Sequence, residues 1–283
     1  MIQPLNPKAE GHHTRKRFGQ NFLQDTRVID RIVRAVSPRA GDQVIEIGPG
    51  LGALTAPLLA ETRRVGEPLT VVELDRDLAA GLAGRIHAQP GELQLIEADA
   101  LRLDFLGLKN PEKRLRIVGN LPYNISTPLL FHLIGCGAAV HDLHFMLQKE
   151  VVARITATPG SSDYGRLSVM MQYHAETEYL FEVPPGAFMP PPKVTSAVFR
   201  LVPHAVKPVQ ARDEAAFARL VAHVFTQRRK TLRSSLKGWM DAGGFARAGV
   251  DPQARPEVLG VAELVALSDQ YAAARSSAGG GMA

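Results

Sequence analysis

Gly119-Asn120-Leu121-Pro122-Tyr123-Asn124 is the stretch of this sequence that carries the most specific chemistry. The Asn120 side-chain carbonyl and the Leu121 main-chain carbonyl can both accept hydrogen bonds from one exocyclic amine. The amine of adenine is a poor nucleophile because its lone pair is delocalised into the ring. Two acceptors on its N–H groups favour pyramidalisation and free that lone pair for attack. Pro122 removes a donor and pushes Leu121 toward an extended conformation, which helps fix where the carbonyl points. Tyr123 offers a flat face on which a base can stack, worth roughly 1–3 kcal/mol. A base in a helix must first be extruded from its stack. Phe188, just before Met189-Pro190-Pro191-Pro192-Lys193-Val194, can close such a base from the opposite face or simply pack in the core. Asn120, Leu121, Pro122, Tyr123 and Phe188 are therefore the candidate catalytic group.

A second constellation lies upstream. Glu46-Ile47-Gly48-Pro49-Gly50-Leu51-Gly52 follows an apolar run and opens a helical pattern. Glycines there let the backbone turn tightly and approach a ligand closely. Glu73 ends the next strand pattern, where a carboxylate can take both hydroxyls of a ribose. Asp99 follows the third, where a carboxylate can accept from an adenine amino group. This much suits a nicotinamide dinucleotide as well as S-adenosylmethionine.

These residues need a scaffold that brings strand ends together. Gln43 to Ile47, Leu69 to Glu73, Leu93 to Glu97, Arg116 to Gly119 and Leu143 to Leu147 read as strands. Ala53 to Glu61 and Asp77 to Ala88 read as helices between them, and another begins after Ser126-Thr127 with a hydroxyl cap and Pro128 in its first turn. Such alternation predicts βαβ units and a parallel sheet covered on both faces. Val194 to Val202 is a late strand. Pro203 and Pro208 mark a linker over 202–214. Beyond it Phe217, Leu220, Val221, Val224 and Phe225 recur at helical spacing, which Leu232, Leu236 and Trp239 extend. The expected domains are 1–203, carrying both constellations, a small helical domain over 204–275, and a frayed tail over 276–283.

Composition sets outer limits. The 283 residues are 45% apolar and 22% charged, ordinary for a folded chain with a sizeable core. One cysteine, Cys136, excludes an internal disulfide and any zinc site with two thiolates, so no metal is expected. No apolar run approaches the ~20 residues of a membrane helix, and residues 1–20 lack a secretory h-region. A cytoplasmic protein without membrane contact is the expectation. Net charge is +5, and residues 204–283 hold 11 Lys and Arg against 7 Asp and Glu. The densest clusters contain Arg228, Arg229, Lys230 and Arg233, and, near the start, Arg15, Lys16 and Arg17. Clustered cations suit a polyanion such as RNA.

The segments 17–23, 46–55, 73–75, 120–129 and 188–201 together resemble the small-subunit (16S) ribosomal RNA adenine N6,N6-dimethyltransferase family. Gln227 to Leu236 is similar as well, although Ser234 stands where Asn is expected. The resemblance covers about residues 12–270, and the Asn120 and Phe188 segments are its most specific parts. It implies a Rossmann-like class I methyltransferase sheet with a small C-terminal helical domain, and S-adenosyl-L-methionine as cofactor. It implies dimethylation of two adjacent adenosines near the 3′ end of 16S rRNA in a pre-30S particle, by a protein expected to be a monomer. Residue by residue, Asn21, Leu23, Gly48, Glu73, Asp99 and Asn120 match the family's cofactor-binding positions. The basic loop Arg63 to Pro68 and the Gly-rich tail depart from the pattern away from these positions. Three alternatives compete. Against a macrolide-resistance type 23S rRNA methyltransferase stand Leu121, the Phe188 segment and the basic C-terminal stretch. An assembly or transcription factor on the same scaffold would not need an intact Asn120 to Tyr123. A nicotinamide oxidoreductase has no use for that segment.

Overall fold

Apolar runs with strand-forming composition make β1 (Phe22–Leu23), β2 (Asp42–Ile47), β3 (Leu69–Glu73), β4 (Leu93–Glu97), β5 (Arg114–Asn120), β6 (Val140–Gln148), β7 (Ala175–Val183), β8 (Phe188–Met189) and β9 (Ser196–Pro203). The helices that alternate with the early strands are α1 (Thr26–Val36), α2 (Thr55–Arg64), α3 (Arg76–Arg85), α4 (Phe105–Leu108) and α5 (Ser126–Ile134). Later come α6 (Lys149–Thr156), α7 (Arg166–His174), α8 (Glu214–Thr226), α9 (Leu232–Ser235), α10 (Ala242–Ala248) and α11 (Val261–Gly279). The computed structural model describes residues 21–122 and 125–279, with side chains to residue 274. Arg15, Lys16, Arg17, Tyr123 and the last four residues of the expected tail lie outside the described residues.

Two compact units result. One comprises Met1–Val152 and Thr177–Pro203; the other comprises Ala153–Glu176 and His204–Ala283. The expected boundary after Pro203 coincides with one of these divisions. The unbroken 1–203 domain does not, because Ala157, Tyr164, Val169 and Tyr173 belong to the same apolar cluster as Phe217, Leu220 and Leu264. The Tyr164 hydroxyl donates to the Leu259 carbonyl at 2.9 Å, and Gln172 Nε2 donates to the Ile155 and Ala157 carbonyls at 3.0 and 2.8 Å.

In the first unit the described strands form a seven-stranded sheet in the order β4-β3-β2-β5-β6-β9-β7. Strands β2 to β6 pair in parallel, as the alternation predicts. The sheet is not wholly parallel, since β9 runs antiparallel to β6, with Phe145 opposite Phe199. Val44, Ile45 and Val71 are wholly buried because helices cover both faces of the central strands. Asp25 caps α1 by accepting from the Arg27 and Val28 amides at 2.9 and 3.3 Å, and Val28, Ile29, Ile32, Val33 and Val36 form its buried stripe. Helix α5 starts after Ile125, which supplies no side-chain cap, so the expected hydroxyl cap gives way to a start at Ser126.

In the second unit the periodicity expected to run from Phe217 to Trp239 is broken. Helix α8 ends at Thr226, the chain turns, and Thr231 caps the separate helix α9. Trp239 stacks between His223 and Tyr271, with ring centroids at 4.2 and 4.7 Å. The end expected to fray from residue 276 is still helical as far as Gly279.

Charge is buried where the first unit's sheet begins. Arg116 on β5 donates twice to Asp142 on β6, at 2.8 Å each, and to Asp42 on β2 at 3.0 Å. Arg200 on β9 adds two donors to Asp142 at 3.1 and 3.2 Å. His144 sits beside this network, 2% exposed, with its Nδ1 3.8 Å from Asp142 Oδ1. Burial holds its pKa down at about 4 against an ordinary 6.5; Asp142 and the Ala35 backbone oppose the shift, and Arg116 and Arg200 reinforce it. The unfolded chain therefore takes up this proton near pH 6.5 and the native one only near pH 4. Acidification through that window favours unfolding, by on the order of 3 kcal/mol once complete. H144L is expected to flatten the pH dependence of the urea midpoint across this window. A profile as steep as that of the wild type would mean that other groups set it.

Candidate active site

The strand order reverses between β2 and β5, and ligands of open α/β sheets bind outside the carboxyl ends at such a point. The glycine turn, Glu73, Asp99 and Asn120 all sit there, in turns or at strand ends. After β2 the chain turns through Gly48 and Gly50, with φ of +69° and +56°. At Gly50 the left-handed backbone aims the amide at Glu73 Oε2, 3.2 Å away. The Asp75 amide holds Glu73 Oε1 at 2.9 Å, so the carboxylate at the end of β3 is fixed from both sides. Burial raises the Glu73 pKa, the three backbone donors Asp75, Gly50 and Leu74 oppose this, and Asp75 adds to the rise. Asp99 lies two residues past β4, where its Oδ1 accepts from the Leu101 amide at 3.0 Å.

Asn120 ends β5. Its Nδ2 donates to the Asn21 carbonyl at 3.2 Å. A carbonyl only accepts, so the amide group must face Asn21 and Oδ1 must face the other way. The Leu121 amide is tied to the Met146 carbonyl at 3.4 Å, which anchors the next residue of the segment. Gly119 makes this placement possible. A Cβ there would lie 2.5 Å from the Ile47 carbonyl oxygen, a contact no side chain tolerates.

A feature with no counterpart in the sequence reading supplies one wall. β1 pairs antiparallel with β8, placing Phe22 opposite Met189 and Leu23 opposite Phe188. Gln24 extends the ribbon by donating to the Ala187 carbonyl at 2.8 Å. Phe188 is 4% exposed, packs in the same cluster as Leu23, and also faces the cavity. Both functions open to it in the sequence are thus compatible with one position.

Asn21, Leu23, Gly48, Glu73, Asp99, Asn120, Leu121, Pro122 and Phe188 all line one cavity of about 320 Å³, within the ~300–1,000 Å³ of ligand pockets. The described residues among the expected RNA contacts do not line this cavity. Arg229, Lys230 and Arg233 are exposed in the second unit. Arg228 is engaged within that unit, donating to Glu257 at 2.8 Å and to the Ser162 and Ser161 carbonyls at 2.8 and 3.1 Å.

Glu46, which the sequence motifs do not single out, also lines the cavity. It is 1% exposed, and its Oε2 has no hydrogen-bond partner. Burial pushes its carboxyl up to about 8, with Thr55 opposing and Glu73 adding. The signal for it was a lone acid inside the apolar run Val44-Ile45-Glu46-Ile47. Glu46, Glu73, Asp75 and Asp99 give the cavity four carboxyls, and no Lys, Arg or His is among its described lining residues.

A mostly parallel sheet that reverses its order, with a glycine turn, strand-end acids and the Asn120 segment around one cavity, has the architecture of a class I methyltransferase. Solved structures agree. A dimethyladenosine transferase from Plasmodium falciparum superposes with a TM-score of 0.74 at 24% identity, covering 87% of this chain and 95% of that one. The 23S rRNA methyltransferase ErmE superposes with a TM-score of 0.69 at 26% identity, covering 89% and 100%. More specifically, the model of the ribosomal RNA adenine dimethylase family matches residues 11–272, and the chain belongs to that family. Its relatives include the ribosomal RNA small subunit methyltransferase A of Acinetobacter baylyi, 65% identical over 95% of this chain and 97% of that protein. The protein of the same name from Pseudomonas putida is 53% identical over 92% and 96%.

The methyl donor of this enzyme is S-adenosylmethionine. The cavity suits it on its own chemistry, since a sulfonium and an ammonium find carboxyls, one of them with an unpartnered oxygen, and no opposing cation among the described lining residues. Gly119→Ala is expected to force β5 from β2, costing about 1–3 kcal/mol of stability and weakening donor binding in parallel. Thermal unfolding with and without donor would check this. Unchanged stability and affinity would show that the close approach is dispensable.

Proposed function

We propose that this enzyme dimethylates the exocyclic N6 of two adjacent adenosines near the 3′ end of 16S rRNA, within a partly assembled 30S particle. It acts there as a cytoplasmic monomer. No helix among the described residues is long and apolar enough to cross a membrane. The observation that carries the chemistry is the orientation of Asn120, whose amide is turned toward Asn21 so that its carbonyl remains to accept from a substrate amine. The choice of RNA rests on the relatives, since those named for the small subunit share 52–65% identity with this chain.

S-adenosylmethionine, when bound, supplies an electrophilic methyl carbon. Glu73 would take the ribose hydroxyls and Asp99 the adenine amino group of that donor, with Asn21, Leu23 and Gly48 completing its enclosure. Asn120 Oδ1 and the Leu121 carbonyl accept from the substrate amine and free its lone pair. Pro122 keeps Leu121 extended, while Tyr123 and Phe188 hold the base between them. The amine is neutral, so no general base precedes attack and its proton leaves to solvent afterwards. Most of the acceleration comes from holding the reacting groups in line, a contribution that can reach ~7–11 kcal/mol. Water exclusion by the Phe188 wall adds to it.

Asn120→Ala is expected to lower methyl transfer to undermethylated 30S particles by roughly 10²-fold, with a smaller loss of donor affinity. Mass spectrometry would place the wild-type methyl groups on two adjacent adenosines of the 30S RNA and none on 50S particles. Near wild-type turnover in the variant would remove Asn120 from the chemistry.

In the second unit, Arg229, Lys230 and Arg233, with Arg15, Lys16 and Arg17 of the first, serve as phosphate contacts that give affinity without sequence readout. Arg228 belongs to the same basic run, but its ties to Glu257, Ser161 and Ser162 make it a clamp on the 161–162 loop. Arg229→Ala is expected to reduce the slope of log affinity against log salt by about 0.7–0.9. Arg228→Ala is expected to lower thermal stability while leaving the slope near wild type. Fluorescence anisotropy with a 16S fragment across a salt series reads both. Equal slope changes would return Arg228 to the RNA surface.

A further inference from the structure

We propose that Glu46 carries a proton in the donor-free protein and releases it to solvent when S-adenosylmethionine enters, its carboxylate then serving as the buried counter-charge of the donor's cationic methionine end. This rests on the assignment of the cavity to that donor. No bond to the donor forms or breaks; one O–H bond of the carboxyl is lost and the proton passes to water or buffer.

The placement of Glu46 requires some such partner. It lies on β2 between Val71 of β3 and Val118 of β5, two residues before Gly48. It is 1% exposed, and one carboxyl oxygen meets no hydrogen-bond donor. The groups facing it are the Thr55 hydroxyl from α2 and the Glu73 carboxylate from β3. Asp75 and Asp99 line the same cavity, and no described lining residue is basic. A carboxylate in this position would be desolvated beside a like charge, and both conditions favour the neutral acid. Burial accordingly raises its pKa to about 8. A cation in the cavity reverses that preference, because opposite charges attract strongly where water is excluded. Glu73 is different, since the Gly50 and Asp75 amides already satisfy its carboxylate.

Calorimetric titration of the full chain with S-adenosylmethionine in buffers of different ionisation heat tests this. About pH 6.5 is suitable, below the titration of an α-amino group near 7.7–8.0. The wild type is expected to show a linear dependence of apparent enthalpy on buffer heat, with about one proton released per donor bound. Its dissociation constant should weaken close to tenfold for each pH unit lost below about 8. E46Q is expected to release almost none. With 5′-methylthioadenosine, which lacks both the amino-acid end and the positive sulfur, the wild type should release none either. If E46Q does not fold, the wild-type buffer series and the 5′-methylthioadenosine control decide the matter. Donor binding with the same enthalpy in every buffer overturns the proposal while leaving the donor assignment intact. Release by E46Q equal to that of the wild type assigns the proton to another group and overturns it too. Failure of the donor to bind at all overturns the assignment on which the proposal rests.

Discussion

Gly119 lies so near β2 that a single added methyl group would meet the Ile47 carbonyl oxygen at 2.5 Å. That contact sits at the point where the sheet reverses its order. Because the strands lie this close, the glycine turn leaving β2 and the Asn120 segment leaving β5 open into one cavity. The turn then fixes Glu73 through the Gly50 amide, and Asn120 is oriented by the Asn21 carbonyl. Each link is one hydrogen bond or one missing side chain. Together they leave few conformations open to the pocket floor.

The sheet treats charge in opposite ways at its two ends. Where the strands begin, Arg116 and Arg200 answer Asp42 and Asp142, so the buried ions have partners. Where the strands end, Glu46, Glu73, Asp75 and Asp99 line a cavity with no described basic residue. A buried pair stabilises only when its geometry repays the lost hydration, and the first end meets that condition within the protein. The second end leaves a charge requirement for a ligand to meet. A cationic methyl donor has the matching sign.

Much of this was legible in the sequence because its signals are local. The glycine turn, the acids at 73 and 99, and the 119–124 segment are each punctuated by an apolar run that ends at them, and five strands were placed from the same runs. The remainder depends on contacts between distant positions. Nothing local marks Phe22 and Leu23 as partners of Met189 and Phe188, because a two-residue ribbon has no periodicity to read. The Arg116 network is cross-strand, and its members look like ordinary strand charges until register aligns them. Strand β7 carries no clear local signal, because Glu176, Glu178 and Glu182 interrupt its apolar pattern. Residues 153–176 pack with the second unit through contacts from beyond residue 204, which no local signal announces. In the basic run, composition alone cannot separate Arg228, which is tied down, from Arg229, which is exposed.

The β1–β8 ribbon has a bearing on how the enzyme is born. Domains tend to assemble from the N-terminus as the chain leaves the ribosome. A nascent chain that has emerged only as far as Asn120 holds the glycine turn and Glu73 but not Phe188, so the strand that must pair with Leu23 does not yet exist. The antiparallel β9 that flanks β6 comes later still. The wall of the pocket is therefore the last part of it to be translated, arriving only with the Phe188 segment.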